Sequence, residues 1–168
     1  LQEYEPTAGK EMFTLQVTGI VSGAKRMHEV VNTMVDMIRI DSQALELFPE
    51  PSSITDLFIL LQHEFQEALR DRHLNLQMVE LELLPEIVAD PDLLPKAFYH
   101  LLINAIKYTP DGGTITVSGC QIEENGVEAV EIVIQDTGIG INPEFHELIF
   151  TKFYQTGPVA LHSSGKTK

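Results

Sequence analysis

Four side chains of unlike chemistry, His100, Asn104, Lys107 and Tyr108, follow one another at steps of four, three and one near the middle of the chain. Residues 91–108 read as an amphipathic helix. At about 100° per residue, these four gather on one side, and Leu94, Phe98, Leu101 and Ala105 gather opposite. A helix packed by its apolar side would present an amide, an ammonium, an imidazole and a phenol along about two turns. Those groups suit phosphate and a hard cation. Asn offers a neutral carbonyl oxygen to an ion such as Mg²⁺, which keeps several waters and shares oxygens with substrate phosphates. Lys brings mobile positive charge, and Tyr a flat surface with a hydroxyl. An ordinary solvated helix face carries the same residue types, so this helix alone leaves both readings open.

The second chemical segment is DTGIGI, which follows directly on the β-branched run EAVEIVIQ. Asp136 is thereby expected at a strand end, where α/β folds commonly meet ligands. Gly138 and Gly140 let the backbone bend and approach a ligand closely. An ionised carboxylate only accepts hydrogen bonds, so Asp136 suits an exocyclic amine such as that of adenine and would repel a phosphate. The spacing is neither that of a phosphate-cradling loop ending in G-K-S/T nor that of the dinucleotide fingerprint, whose third Gly is absent. Alone, D-x-G-x-G is equally a tight turn.

These segments need a scaffold. The proline-free stretch 11–41 carries Val17, Ile20, Ala24, Met27, Val31, Met34 and Ile38 at alternating steps of three and four. That heptad seam predicts a helix on the order of 45 Å long lying along a partner helix. Pro49 and Pro51 mark a junction. Beyond it, residues 56–72 read as one amphipathic helix with Thr55 as N-cap, and LNLQMVELEL and EIVAD as strands. After the 91–108 helix, TPDGG stops the chain, TITVSGCQIE and EAVEIVIQ form two strands around the turn EENG, and INPEFHELIF is a short helix.

With 168 residues and 43% hydrophobic content, the chain suffices for one well-packed domain with an appended element. A net charge of −14 with only 11 Lys and Arg excludes a nucleic-acid surface, so any anionic ligand must be held locally. The single cysteine, Cys120, leaves no internal disulfide, which fits a reducing compartment. No run of 18 apolar residues or charged-then-apolar leader is present, so no membrane contact is expected from this segment.

Taken together, the two segments resemble a known family. LINAIKYTPDGG is similar to the asparagine box of sensor histidine kinases, QDTGIGI to their first glycine box and IFTKFYQ to their phenylalanine box, in matching order and spacing. VVNTMVDMIRIDSQALELFPEPSSITDLF resembles the second helix of the dimerisation hairpin running into the ATP-binding domain. The resemblance implies a Bergerat-type α+β fold, a two-layer sandwich with helices on one face of a mixed sheet, preceded by a long coiled-coil-like helix. Residues 1–48 would be a partial dimerisation stalk and 49–168 the ATP-binding catalytic domain. It further implies ATP and Mg²⁺ as ligands, a response-regulator receiver domain as partner, homodimerisation through the stalk, and a cytoplasmic location even if the parent is membrane-anchored. Asn104 would coordinate Mg²⁺, Lys107 touch the phosphates and Tyr108 line the nucleotide. Asp136 would accept the adenine amine, Gly138 and Gly140 close the turn over the base, and Phe150 and Phe153 anchor the lid, with Lys152 reaching a phosphate. The alternatives are another ATPase of the same fold, or a degenerate module signalling through its coiled coil. Lys107-Tyr108, the phenylalanine box and the heptad helix weigh against the first, and intact Asn104, Lys107 and Asp136 against the second.

Three departures from the family pattern stand out. His100 occupies a position where the family often has Asn, and it still offers an imidazole to a phosphate or water. The sequence ends at HSSGKTK before a second glycine box, so an incomplete lid is expected, with Lys166 and Lys168 as its remnants. The His-Glu pairs at His28, His63 and His146 lack the basic, hydroxyl and proline positions of the family's phosphoacceptor. No catalytic residue is therefore expected within this chain, and the acceptor histidine is expected upstream, in a longer parent.

Overall fold

Residues 7–42 and 46–151 are described by the structure, a computed structural model. It divides into two compact units, residues 1–47 and 48–168.

The first unit is one helix, α1 (Thr7–Asp41), roughly 50 Å long at about 1.5 Å per residue. Its seam is open to solvent in the single chain, with Ile20, Met27 and Ile38 among its most exposed large apolar residues. This exposed apolar stripe is the face that a heptad seam would offer to another helix. Among the described residues, no helix is long and apolar enough to cross a membrane.

In the second unit the elements run β1 (Glu50–Ser52), α2 (Ile54–Glu64), α3 (Gln66–Asp71), β2 (Asn75–Val79), β3 (Ile87–Ala89), α4 (Leu93–Tyr108), β4 (Thr114–Glu124) and β5 (Val127–Asp136). Strand β4 lies between β2, to which it is parallel, and β5, to which it is antiparallel. The short strands β1 and β3 pair antiparallel by themselves. The sheet is therefore mixed, as expected. Strand alternation sends Ile115 and Val117 of β4 into the core, where they meet Leu57, Phe58 and Leu61 of α2 and Leu102, Ala105 and Ile106 of α4. Two ring contacts join the helices, Phe58 to Phe98 and Phe65 to Tyr99, each with centroids 4.9 Å apart.

Four local expectations need correction. Ser53, not Thr55, caps α2: its Oγ accepts the Asp56 N–H, whereas the Thr55 hydroxyl donates to the Leu81 carbonyl. The helix expected over 56–72 is two, broken at Phe65, whose ring is drawn into the core against Tyr99. The strand expected to continue through ELEL stops at Val79, because Glu80 takes a left-handed conformation (φ 60°) and Leu81–Leu83 forms a 3₁₀ turn that buries Leu81. The short helix expected over INPEFHELIF is two 3₁₀ turns, Pro143–Phe145 and Leu148–Phe150.

Both ends of α4 are held by side chains. Oδ1 of Asp90 accepts the backbone N–H groups of Asp92 and Leu93, each at 3.0 Å, so it caps the helix although it lies before its first turn. Oδ2 accepts the N–H of Phe48 at 2.9 Å. The Phe48 bond, then those of Leu93 and Asp92 and the charge of Lys96, lower the Asp90 carboxyl below its ordinary range, against a smaller opposing effect of burial. A carboxyl lowered on folding stabilises the fold above its unfolded pKa of about 3.9, and that contribution is lost as the pH falls through the folded value. In Asp90→Asn the amide oxygen can still cap α4, but the NH₂ cannot accept from Phe48. We expect a lower melting temperature at neutral pH and faster exchange of the Phe48 amide. The difference in melting temperature from wild type should shrink below about pH 4; a difference independent of pH would contradict this role.

Candidate functional site

Helix α4 turns its polar side outward as expected, but its buried side is centred on Leu102, a rotation of about 70° from the expected face. Leu101, placed in the core from sequence, is 52% exposed, and Leu102 is fully buried. His100 and Asn104 are exposed, and Lys107 and Tyr108 are half-buried at the helix end. The His100 ring stands edge-on to Tyr99, with centroids 5.8 Å apart. The Lys107 ammonium lies 4.9 Å from the centre of the Tyr108 ring, a cation–π contact within the expected pair.

Asp136 is the last residue of β5, with its side chain at an exposed position. Its Oδ1 accepts the N–H of Gly138 at 2.8 Å, which folds the loop back on the carboxylate. The loop is also tied to α4, because the Ile139 N–H donates to the Tyr108 carbonyl at 3.2 Å. Thr137 fastens the other side: its N–H donates to Thr114 O at 3.0 Å, and its Oγ1 accepts the Thr114 N–H at 2.9 Å. The end of the polar helix face and the glycine loop are thus joined at Tyr108, and Asn104 stands one turn further back on the same helix.

The two glycines serve different ends. A Cβ on Gly138 would lie 2.4 Å from Asp136 Oδ1 and 2.7 Å from the Tyr108 carbonyl oxygen, so the close approach of helix and loop requires its absence. Gly140 has open space around it, but its φ of +69° is left-handed and favours glycine. Lys152 and Phe153 lie outside the described residues. Phe150 is 86% exposed rather than packed. His28 is paired with Asn32 at 3.2 Å, His146 Nε2 lies 3.0 Å from the Ile141 carbonyl, and His63 is exposed on α2.

No group of three or more His, Cys, Asp or Glu that could hold a metal occurs among the described residues. The donor set suits a Mg²⁺ held chiefly by phosphates and water with one amide oxygen from Asn104, the usual manner for this ion.

Sequence reasoning missed three residues that build the site. Asp90 carried a local signal, an acid followed by Pro91 at a helix start. Arg72, whose side chain binds the C-terminal end of α4, and Thr137 carried none, because their partners are distant in sequence.

Known proteins resemble this chain in sequence and in fold. Residues 89–167 match the family described as histidine kinase-, DNA gyrase B- and HSP90-like ATPases. The adaptive-response sensory kinase SasA of Trichormus variabilis is 34% identical over 136 residues, covering 79% of this chain and 32% of that protein. Among solved structures, full-length ShkA in complex with AMPPNP superposes with a TM-score of 0.73 at 22% identity, over 90% of this chain and 31% of that one. The histidine kinase ThkA in complex with the response regulator TrrA gives 0.64 at 18% identity, over 95% of this chain and 44% of that one. Residues 89–167 thus carry a domain of the histidine kinase-, DNA gyrase B- and HSP90-like ATPase family, and over a longer stretch the chain is similar in sequence to sensory kinases. It spans about a third of the length of the curated relative.

Proposed function

We propose that this chain is the nucleotide-binding part of a two-component sensor histidine kinase whose parent transfers the γ-phosphoryl group of ATP to a histidine outside residues 1–168. The observation that carries this reading is the bond from the Ile139 N–H to the Tyr108 carbonyl, which sets the asparagine-bearing helix face beside the Asp136 loop. One ligand with a phosphate end and an amine-bearing base fits both.

In this reading Asn104 supplies an amide oxygen to Mg²⁺ while Lys107, and more weakly His100 and Lys152, reach the phosphates. Tyr108 lines the nucleotide, Asp136 accepts the adenine amine, and Gly138 and Gly140 shape the turn over the base. Bound Mg²⁺ would neutralise phosphate charge. The chain's own work is positioning and charge compensation, the main demands of phosphoryl transfer. AMPPNP held by ShkA and the response regulator bound to ThkA support ATP and a receiver domain as ligand and partner of this chain. The open stripe of α1 supports a stalk over residues 1–48 that pairs with a second copy, in front of a catalytic domain over 49–168, on the cytoplasmic side of any anchor the parent carries. A non-catalytic module is disfavoured by the intact Asn104, Lys107 and Asp136.

Calorimetry with a non-hydrolysable ATP analogue tests this. We expect one site per chain and weaker binding when Mg²⁺ is withheld; absence of heat at millimolar analogue would refute it.

A further inference from the structure

Arg72 lies just beyond α3, outside the constellation expected to touch ligand, yet its guanidinium is spent on the helix that carries that constellation. It donates to the carbonyl of Ile106, to that of Thr109 at 2.7 Å, and through Nε to Asp111 Oδ1 at 2.9 Å. Ile106 and Thr109 bracket Lys107 and Tyr108 in sequence. The last carbonyls of a helix have no partner within it, and a cation there also complements the helix dipole. With 16% of its side chain exposed, Arg72 meets little competition from water for these bonds. The backbone holds it from behind, since its own carbonyl accepts the Gly112 N–H at 3.0 Å.

We propose that Arg72 is a positioning residue for the phosphate end of the nucleotide site, an inference that rests on the proposed nucleotide-binding function. By satisfying acceptors on both sides of Lys107 and Tyr108, it fixes the last turn of α4 and with it the direction of the Lys107 ammonium over the Tyr108 ring. A planar five-donor fork is needed for three acceptors so placed, and an ammonium, as a compact point charge, cannot hold all three in this geometry.

The test is a double-mutant cycle on the full chain, titrated with the Mg²⁺-loaded ATP analogue and, by competition, with adenosine, with circular dichroism confirming that each variant is folded. Arg72→Ala should weaken the analogue about tenfold and adenosine less than about twofold. With Lys107→Ala already present, the Arg72 substitution should cost less than about threefold, because the group it orients is gone. Arg72→Lys should fall between wild type and Arg72→Ala, and it carries the test if Arg72→Ala does not fold. Equal losses for analogue and adenosine, or a full loss retained without Lys107, would assign Arg72 a merely structural role and overturn the proposal. Wild-type chain that fails to bind the analogue would remove the nucleotide reading itself, an outcome seen before any variant is compared.

Discussion

Asp136→Asn is expected to weaken binding of the ATP analogue by about 100-fold, close to 2.7 kcal/mol. Oδ1 of Asp136 already accepts the Gly138 N–H at 2.8 Å, and in the proposed function the second carboxylate oxygen is the acceptor left for the adenine amine. In the Asn variant the amide oxygen keeps the Gly138 bond, and the NH₂ then faces an amine donor, so two donors meet without an acceptor. Hydrogen bonds to charged groups are each worth about 1.5–3 kcal/mol, and an unsatisfied partner adds its own desolvation cost. Because the loop bond survives, the melting temperature should hardly change. Unchanged affinity, measured by calorimetry, would mean that Asp136 does not read the base.

Gly138→Ala should affect both stability and binding. The added methyl would lie 2.4 Å from Asp136 Oδ1 and 2.7 Å from the Tyr108 carbonyl oxygen. Neither neighbour is the free end of a long side chain: one is a short carboxylate already bonded to the loop, and the other is backbone at the end of α4. Helix and loop must therefore separate. Overpacking of this kind costs about 1–3 kcal/mol, and separation also breaks the bond from Ile139 to Tyr108 that joins the two halves of the site. We expect a lower melting temperature and at least about a tenfold loss of analogue affinity. Gly140→Ala is the contrast: it meets no atom within 4 Å and has only its left-handed φ to bear, a cost of about 1–2 kcal/mol without displacement of α4. Equal affinity losses in the two variants would show that the close approach at Gly138 is unimportant.

What sequence alone made legible followed from periodicity and punctuation. The 3.6-residue pattern located α4, its polar face and the opposition of Asn104 to the core, and β-branched runs around EENG located the β4–β5 hairpin. Local rules erred where tertiary packing decided the outcome. Leu101 and Leu102 are equally apolar, and only the docking of α4 on the sheet chooses Leu102 for the interior. Ser53 and Thr55 are both competent caps, and the Leu81 carbonyl claims the second. The helix break at Phe65 has no Gly or Pro to announce it. At the candidate site, type and spacing single out Asn104, Lys107 and Asp136 but leave their roles open, and only the resemblance to the kinase boxes supplies those roles. The bonds of Arg72 to the end of α4 and of Thr137 to Thr114 span 34, 37 and 23 residues, so no local pattern carries them.

The proposed function requires the helix face bearing Asn104 and the loop bearing Asp136 to serve one ligand. Titration of ¹⁵N-labelled chain with the Mg²⁺-loaded ATP analogue, followed by nuclear magnetic resonance, reads both at once. With a single shared nucleotide, the side-chain amide of Asn104 and the backbone amides of Gly138 and Gly140 should shift together along one binding curve. Movement of one set without the other, or two curves with different dissociation constants, would contradict a common site.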